Sequence, residues 1–278
     1  MKLREILYTL GLKPGLRTYG FEVTTQDLGH RGQTRFAHWL HPKAQHHRVE
    51  AGAIDALAEF IEPGDFCVDI GAHSGDTSVP MAIAAGPTGC VLAMEPNRHL
   101  FPVLEENARL TAQRGRIEPV CAAATAEPGT YTFGYDDPGY CNGGDSESQA
   151  WWRRRRQFPL EVEGLNLDTL LRTRYADRLD RWKYLKTDTE GNDLAVLKSV
   201  AGLLAEYRPY LRVEVYRRSP LDYRAELYDL IADLGYAIHA MPSDCNLRGE
   251  PLTAEAVMAI EHDDIFCVPR EAAAKKVA

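Results

Sequence analysis

Phe66-Cys67-Val68-Asp69-Ile70-Gly71-Ala72-His73-Ser74-Gly75-Asp76-Thr77 decides how this chain is read. Its first five residues are a continuous apolar run broken by one acid, the composition of a strand buried on both faces. Gly71 and Gly75 then let the backbone turn sharply and approach a ligand closely, as a strand-to-helix loop must at the switch point of an open sheet. Taken alone, such a turn can serve packing only.

Outward from the turn the pattern alternates. Helical spacing is expected over residues 77–85, then a strand over 90–95, a helix carrying Leu100, Val103, Leu104, Ala108 and Leu110, and a third strand over 117–124. Residues 184–188 and 211–215 read as later strands separated by a helix over 193–207, and residues 236–241 and 265–268 as a closing antiparallel pair. Strands alternating with helices of this length predict a doubly wound, mostly parallel α/β sheet with helices on both faces. Upstream, Ile54, Leu57, Ala58 and Ile61 recur at helical spacing until Pro63-Gly64.

Two stretches stand apart from this rhythm. Residues 1–50 read as an N-terminal segment, helical or irregular, packed on a main domain of residues 51–278. They carry His30, His38, His41, His46 and His47 with Trp39. A metal-binding histidine cluster is the sharper reading there, but the spacing is irregular and no cysteine lies nearby. Residues 130–165 read as an insertion of two strands around a loop rich in Gly, Asp and Asn, followed by Trp151-Trp152-Arg153-Arg154-Arg155-Arg156. A loop of that length inside a domain is usually functional. The tryptophan–arginine run suits a clamp for an anionic or sugar-like acceptor, or a solvated basic turn or subunit contact.

Composition bounds the partners. Across 278 residues, 45% hydrophobic and 26% charged residues describe an ordinary globular chain, and a formal net charge of −8 repels a polyanion. Nucleic acid is therefore not expected as a partner. No apolar stretch approaches the roughly 18 residues of a membrane span, the first residues do not read as a secretory signal, and six cysteines form no C-x-x-C pair. A cytoplasmic protein is expected, with a homodimer as the default assembly.

Glu95 ends the second strand, where an acid accepts hydrogen bonds from a ribose diol. That position suits NAD and S-adenosylmethionine alike. A dinucleotide needs Gly-x-Gly-x-x-Gly, whose middle glycine clears room for the pyrophosphate; here that position is His73, and the spacing to Gly75 is wrong. A second acidic block, Lys186-Thr187-Asp188-Thr189-Glu190-Gly191-Asn192-Asp193, closes the fourth core strand, with Glu214 in the next. These acids could orient an acceptor, remove its proton or hold a divalent cation, while Asn192 or Asp193 also suits a helix cap.

The turn at residues 69–76, Glu95-Pro96-Asn97 and Leu185-Lys186-Thr187-Asp188-Thr189-Glu190-Gly191, in that order and spacing, resemble the FkbM family of methyltransferases over residues 59–214. The Pro138-Gly139-Tyr140-Cys141-Asn142-Gly143-Gly144 loop is similar to a subgroup of that family. The resemblance implies a seven-stranded sheet, S-adenosylmethionine as donor and O-methylation of a sugar or secondary metabolite. On that reading the cofactor is bordered by Asp69, Gly71, Ala72, His73, Gly75, Asp76, Thr77, Glu95, Pro96, Asn97, Ala122 and Asp188. Asp188, Glu190 and Glu214 are the catalytic candidates, and Asp188 with Glu214 would hold a magnesium-type ion if one is used. Lys186, Tyr140, Asn142, Trp151 and Trp152 are candidates for acceptor contacts. No acid follows the third strand, so adenine recognition has no assigned residue.

Three alternatives stay open. Asp137-Pro138-Gly139-Tyr140 superficially matches the Asp-Pro-Pro-Tyr motif of nucleic-acid methyltransferases, but it sits in the wrong loop and lacks the second proline. An NAD-dependent oxidoreductase or epimerase would need the missing dinucleotide turn. A non-catalytic ligand-binding protein of the same fold would be expected to have lost Asp188 or Glu190, and both are present.

Overall fold

The structure is a computed structural model that describes residues 17–135 and 157–270, with the short pieces 7–8, 10, 12 and 144–145 beside them. In chain order the strands are β1 (Phe21–Asp27), β2 (Gln33–Trp39), β3 (Phe66–Ile70), β4 (Cys90–Met94), β5 (Ile117–Val120), β6 (Ala123–Thr125) and β7 (Gly129–Tyr135). They continue with β8 (Gly144–Asp145), β9 (Phe158–Asn166), β10 (Trp182–Thr187), β11 (Tyr210–Val215), β12 (Tyr236–Ala240) and β13 (Asp263–Pro269). The helices are α1 (Ala51–Ala58), α2 (Ser78–Ala85), α3 (Phe101–Thr111), α4 (Leu167–Arg174), α5 (Asp193–Ser199), α6 (Ala201–Tyr207), α7 (Leu221–Asp233) and α8 (Ala254–Ala259).

Seven strands form the main sheet in the order β12-β13-β11-β10-β3-β4-β5. β10, β3, β4, β5 and β11 run parallel, and β13 alone is antiparallel to its neighbours β11 and β12. Side-chain alternation explains why β3 reads as an unbroken apolar run. Phe66, Val68 and Ile70 enter one buried cluster with Leu171, Leu197, Leu204 and Leu227. Cys67 enters the other, with Ile54, Val79 and Leu104. α4 to α7 cover the first face and α1 to α3 the second, so the sheet is doubly wound.

The strand order reverses between β3 and β10, and there the carboxyl ends of neighbouring strands diverge into a crevice. Four differences from the sequence-based expectations bear on that crevice. The stretch expected as one strand over 117–124 splits. β5 carries Pro119, which lacks a ladder donor and sits on the sheet's edge strand, while β6 joins a second sheet ordered β6-β9-β7-β8. The two strands expected within 130–165 are present as β7 and β9, but they join β6, from before the insertion, and the two-residue β8 in one four-stranded sheet. The helix expected over 193–207 breaks at Val200 (φ −117°, ψ 14°) into α5 and α6. Where it is described, the N-terminal segment, expected as helical or irregular, carries the antiparallel hairpin β1–β2, its residues rich in the Phe, Val and Thr that favour strands.

The hairpin is fastened from below. The Ala37 N–H donates to Asn107 Oδ1 at 2.7 Å, and Asn107 Nδ2 donates to the carbonyls of Ala37 at 3.0 Å and Ser74 at 2.7 Å. Ala37 and Trp39 pack on Leu100, just before α3, and on Val103 within it. One buried amide thus binds hairpin, helix and glycine turn together.

Candidate active site

A cavity of about 570 Å³ opens at the carboxyl ends of β3, β4 and β10. Its floor is the glycine turn. Gly71 adopts φ +76°, and a Cβ there would lie 1.9 Å from the Asp188 carbonyl oxygen, so only glycine lets the turn pass under the end of β10. The Gly71 and Ala72 N–H groups both donate to the Met94 carbonyl at 3.0 Å, and the Asp188 N–H donates to the Ile70 carbonyl at 3.0 Å. Three strand ends are thereby locked at one point. His73 follows in the left-handed region at φ +50°, a conformation that histidine tolerates better than most residues.

Glu95 faces the turn from the end of β4. Its Oε2 accepts the His73 N–H at 3.0 Å and its Oε1 accepts the Asn97 N–H at 2.8 Å. Each carboxylate oxygen has a second lone pair available to a donor in the cavity. Burial pushes the Glu95 carboxyl up from its ordinary value, and the nearby His73 charge pulls it partly back. Asp76 behaves oppositely. Burial works against its ionisation, but hydrogen bonding from His73 and the charges of His47, His73 and Lys186 outweigh that and hold it well below the carboxylate range.

The opposite rim is the turn after β10. Lys186 is buried, with Nζ 3.1 Å from the Gly71 carbonyl, 3.5 Å from Asp69 Oδ1 and 3.3 Å from Asp188 Oδ2. Burial opposes its charge, yet the charges of Asp188 and Asp69 overcome that and raise it above the ordinary lysine value. Lys186 is thus a fixed cation that balances acids, not a proton acceptor. Asp188 presents a side chain 40% exposed to the cavity. Glu190, at φ +56°, lines the same rim, and burial followed by the Asp188 charge raises its carboxyl.

Of the residues expected at a cofactor, Gly71, His73, Asp76, Thr77, Glu95, Pro96, Asn97, Ala122 and Asp188 line the cavity. Asp69, Ala72 and Gly75 do not. Asp69 is fully buried, its Oδ2 accepting the hydroxyls of Thr77 at 2.7 Å and Ser78 at 2.6 Å, so it anchors the start of α2. Ala72 is in the core, and Gly75 packs toward Leu104 and Asn107.

Glu214 also differs from expectation. It is buried beneath the acidic turn, where its Oε2 accepts the Glu190 N–H at 3.0 Å. Desolvation, with the charges of Asp188, Asp193 and Glu190 added, pushes it up to about 10, so at neutral pH it is a protonated support for the turn. Of the two residues expected to share a magnesium-type ion, Asp188 lines the cavity and Glu214 does not. Among the acceptor candidates Lys186 lines the cavity, whereas Tyr140, Asn142, Trp151 and Trp152 lie outside the described residues.

The sequence reading did not place several of the lining residues at this cavity. Tyr131, Phe133 and Tyr135 project from β7, and Gln45 and His47 from the stretch after β2. The alternation of aromatics at 131, 133 and 135 was a visible signal that one face of that strand is apolar. Nothing in the sequence said which surface it would cover.

A seven-stranded sheet with one antiparallel strand beside its edge, and a cavity over the first glycine turn, defines the Rossmann-like methyltransferase fold. Within that class the chain belongs to the methyltransferase FkbM domain family, which it matches over residues 69–238, more than half its length. Solved structures similar to it include methyltransferase FkbM from Methylobacillus flagellatus, at 17% identity and a TM-score of 0.43 over 77% of this chain and 50% of that one. This chain therefore spans half the length of that protein. Aeropyrum pernix fibrillarin with natively bound S-adenosyl-L-methionine gives 14%, 0.42, 92% and 100% by the same measures. The Bacillus cereus O-methyltransferase in complex with SAH gives 12%, 0.43, 80% and 82%. A comparison with curated proteins gives no match.

Proposed function

We propose that the chain is an S-adenosylmethionine-dependent O-methyltransferase acting on a hydroxyl of a sugar or secondary metabolite. The observation that carries this reading is that one cavity holds the glycine turn and Glu95 on one wall and Asp188 with Glu190 on the other. Its volume, about 570 Å³, falls in the range of small-molecule and cofactor sites. The residues suit the donor. Glu95 keeps acceptor capacity for a ribose diol, and the backbone at Gly71 and His73 is bent to approach a ligand closely. Ala122 and the aromatic face of β7 offer an apolar wall for a flat base, in a position where no acid follows β5.

When bound, S-adenosylmethionine supplies a methyl group activated on a sulfonium. The protein's part is then orientation, since well-aligned reactants are worth about 7–11 kcal/mol of barrier. Asp188 accepts a hydrogen bond from the acceptor hydroxyl and aims its oxygen. Glu190, whose burial makes it a stronger base than an exposed carboxylate, takes the proton as the new bond forms. Lys186 holds Asp188 in place and stays charged.

Incubation with isotopically labelled donor and a panel of saccharides and hydroxylated metabolites, read by mass spectrometry, tests the reading. One acceptor should gain a single labelled methyl on oxygen. Asp188→Asn should lower turnover of that acceptor at least about tenfold, a loss of about 1.4 kcal/mol. Turnover within threefold of wild type removes Asp188 from the chemistry. Donor binding measured on the same variant separates a loss of chemistry from a loss of affinity.

A further inference from the structure

His47, His73 and Asp76 each bring one ligand atom to within 4.8 Å of the others. They come from separate parts of the chain, His47 from the stretch between β2 and α1, His73 and Asp76 from the glycine turn. The Asp76 carboxylate lies between the two rings, with Oδ1 3.6 Å from His73 Nδ1 and Oδ2 3.7 Å from His47 Nδ1. The rings are 5.7 Å apart and inclined at 68°, so they meet edge to face rather than stack, with Nδ1 of each turned toward the carboxylate. All three residues line the cavity, and their side chains are only partly exposed, at 32%, 20% and 26%. We infer that His47, His73 and Asp76 form a binding site for a divalent transition-metal ion of the zinc type, separate from the acids around Asp188.

The donor set decides the kind of ion. Two imidazoles and one carboxylate suit zinc and its neighbours, whereas magnesium and calcium take oxygen ligands. Zinc bonds of about 2.0–2.2 Å place tetrahedral ligands about 3.3–3.5 Å apart. The 3.6 and 3.7 Å edges, which run to different oxygens of Asp76, are close to that spacing, and the three ligand atoms, within 4.8 Å of one another, would draw together around an ion. Part of the site is fixed by the fold. His73 is held by its left-handed backbone, by its N–H on Glu95 and by the edge of Trp39 6.4 Å from its ring.

Three protein ligands leave a fourth position, and because all three line the cavity that position opens into it. A bound ion would tie the stretch after β2 to the glycine turn and fix one side of the cavity mouth. In the metal-free protein the Asp76 carboxylate sits between the two imidazoles.

Zinc titration of EDTA-treated, desalted full-length chain by isothermal titration calorimetry tests the site, with cobalt(II) absorption as a second readout. The expected result is saturable binding that includes one site weakened at least tenfold by His47→Ala and by Asp76→Asn, a change of about 1.4 kcal/mol. His30→Ala, at the exposed pair with Asp55, should leave it unchanged. Cobalt(II) should give the intense visible bands of a tetrahedral ion in wild type and lose them in His47→Ala. Absence of saturable zinc binding, or binding in His47→Ala within threefold of wild type, overturns the inference. His47 lies outside the helices and strands, so its variant decides the matter even where Asp76→Asn fails to fold. Binding of S-adenosylhomocysteine, measured separately on metal-free protein, keeps the fate of the donor site distinct from that of the metal site.

Discussion

Single side chains in the acidic turn divide their labour by burial. Asp188 and Glu190 reach the cavity, while Glu214, on the adjacent strand β11, is sealed beneath them and pushed up to about 10. The unfolded chain releases the Glu214 proton near the ordinary value of 4.5. Between those values the folded state holds a proton that the unfolded state has lost. The raised acid therefore supports folding fully below about 4.5, and that support drains away as pH rises toward 10. Glu214→Gln, which mimics the protonated acid, should be more stable than wild type at neutral and alkaline pH. The advantage should grow with pH at no more than about 1.4 kcal/mol per unit. Urea midpoints at pH 5 and pH 9 read this directly, and an unchanged difference between the two shows that Glu214 is ionised in the folded protein. Lys186 gives a second test at this scale. Lys186→Met leaves the fully buried Asp69 without its cation, and removing one partner of a buried pair should cost about 3–5 kcal/mol, seen as a large fall in Tm.

At the scale of elements, the site depends on how the turn and its neighbours are tied. α3 delivers Asn107, whose amide satisfies both backbone groups of Ala37 in β2 and the carbonyl of Ser74 in the glycine turn. Asn107→Leu keeps the volume roughly but leaves three buried backbone groups unpaired, at about 1–3 kcal/mol each. The expected outcome is a loss of about 3 kcal/mol or more, with faster amide hydrogen exchange in β1 and β2 than in the main sheet. Equal loosening of both sheets would mean that the amide does not fasten the hairpin specifically. The four-stranded sheet plays the matching part on the other side. Its strand β7 turns Tyr131, Phe133 and Tyr135 toward the cavity, and Phe133 and Tyr135 also pack with Leu160 and Val162 of β9.

At the scale of the molecule, the parallel sheet supplies one crevice where the strand order reverses, and hairpin and second sheet wall it on two sides. A donor that binds only the folded chain should therefore stabilise all of it at once. S-Adenosylhomocysteine at 100 times its dissociation constant should add about 2.7 kcal/mol and raise Tm in a single transition, while NAD should give no shift. A shift with NAD alone would reverse the assignment of the glycine turn.

Local sequence was enough to determine the main sheet and the two acidic walls. A strand buried on both faces must be apolar throughout, a turn under a neighbouring strand end must be glycine, and both requirements are written in consecutive residues such as Phe66 to Gly71. What closes the cavity was decided only in three dimensions. His47, Tyr131 and Asp76 are far apart in the chain and meet because β2 and β7 are each anchored elsewhere, by Asn107 and by β9. The separation of Glu214 from Asp188 has the same origin. Strand alternation puts both acids near one sheet edge, but whether a carboxylate faces the cavity or lies sealed beneath the turn is a matter of packing, and no spacing in the sequence encodes it.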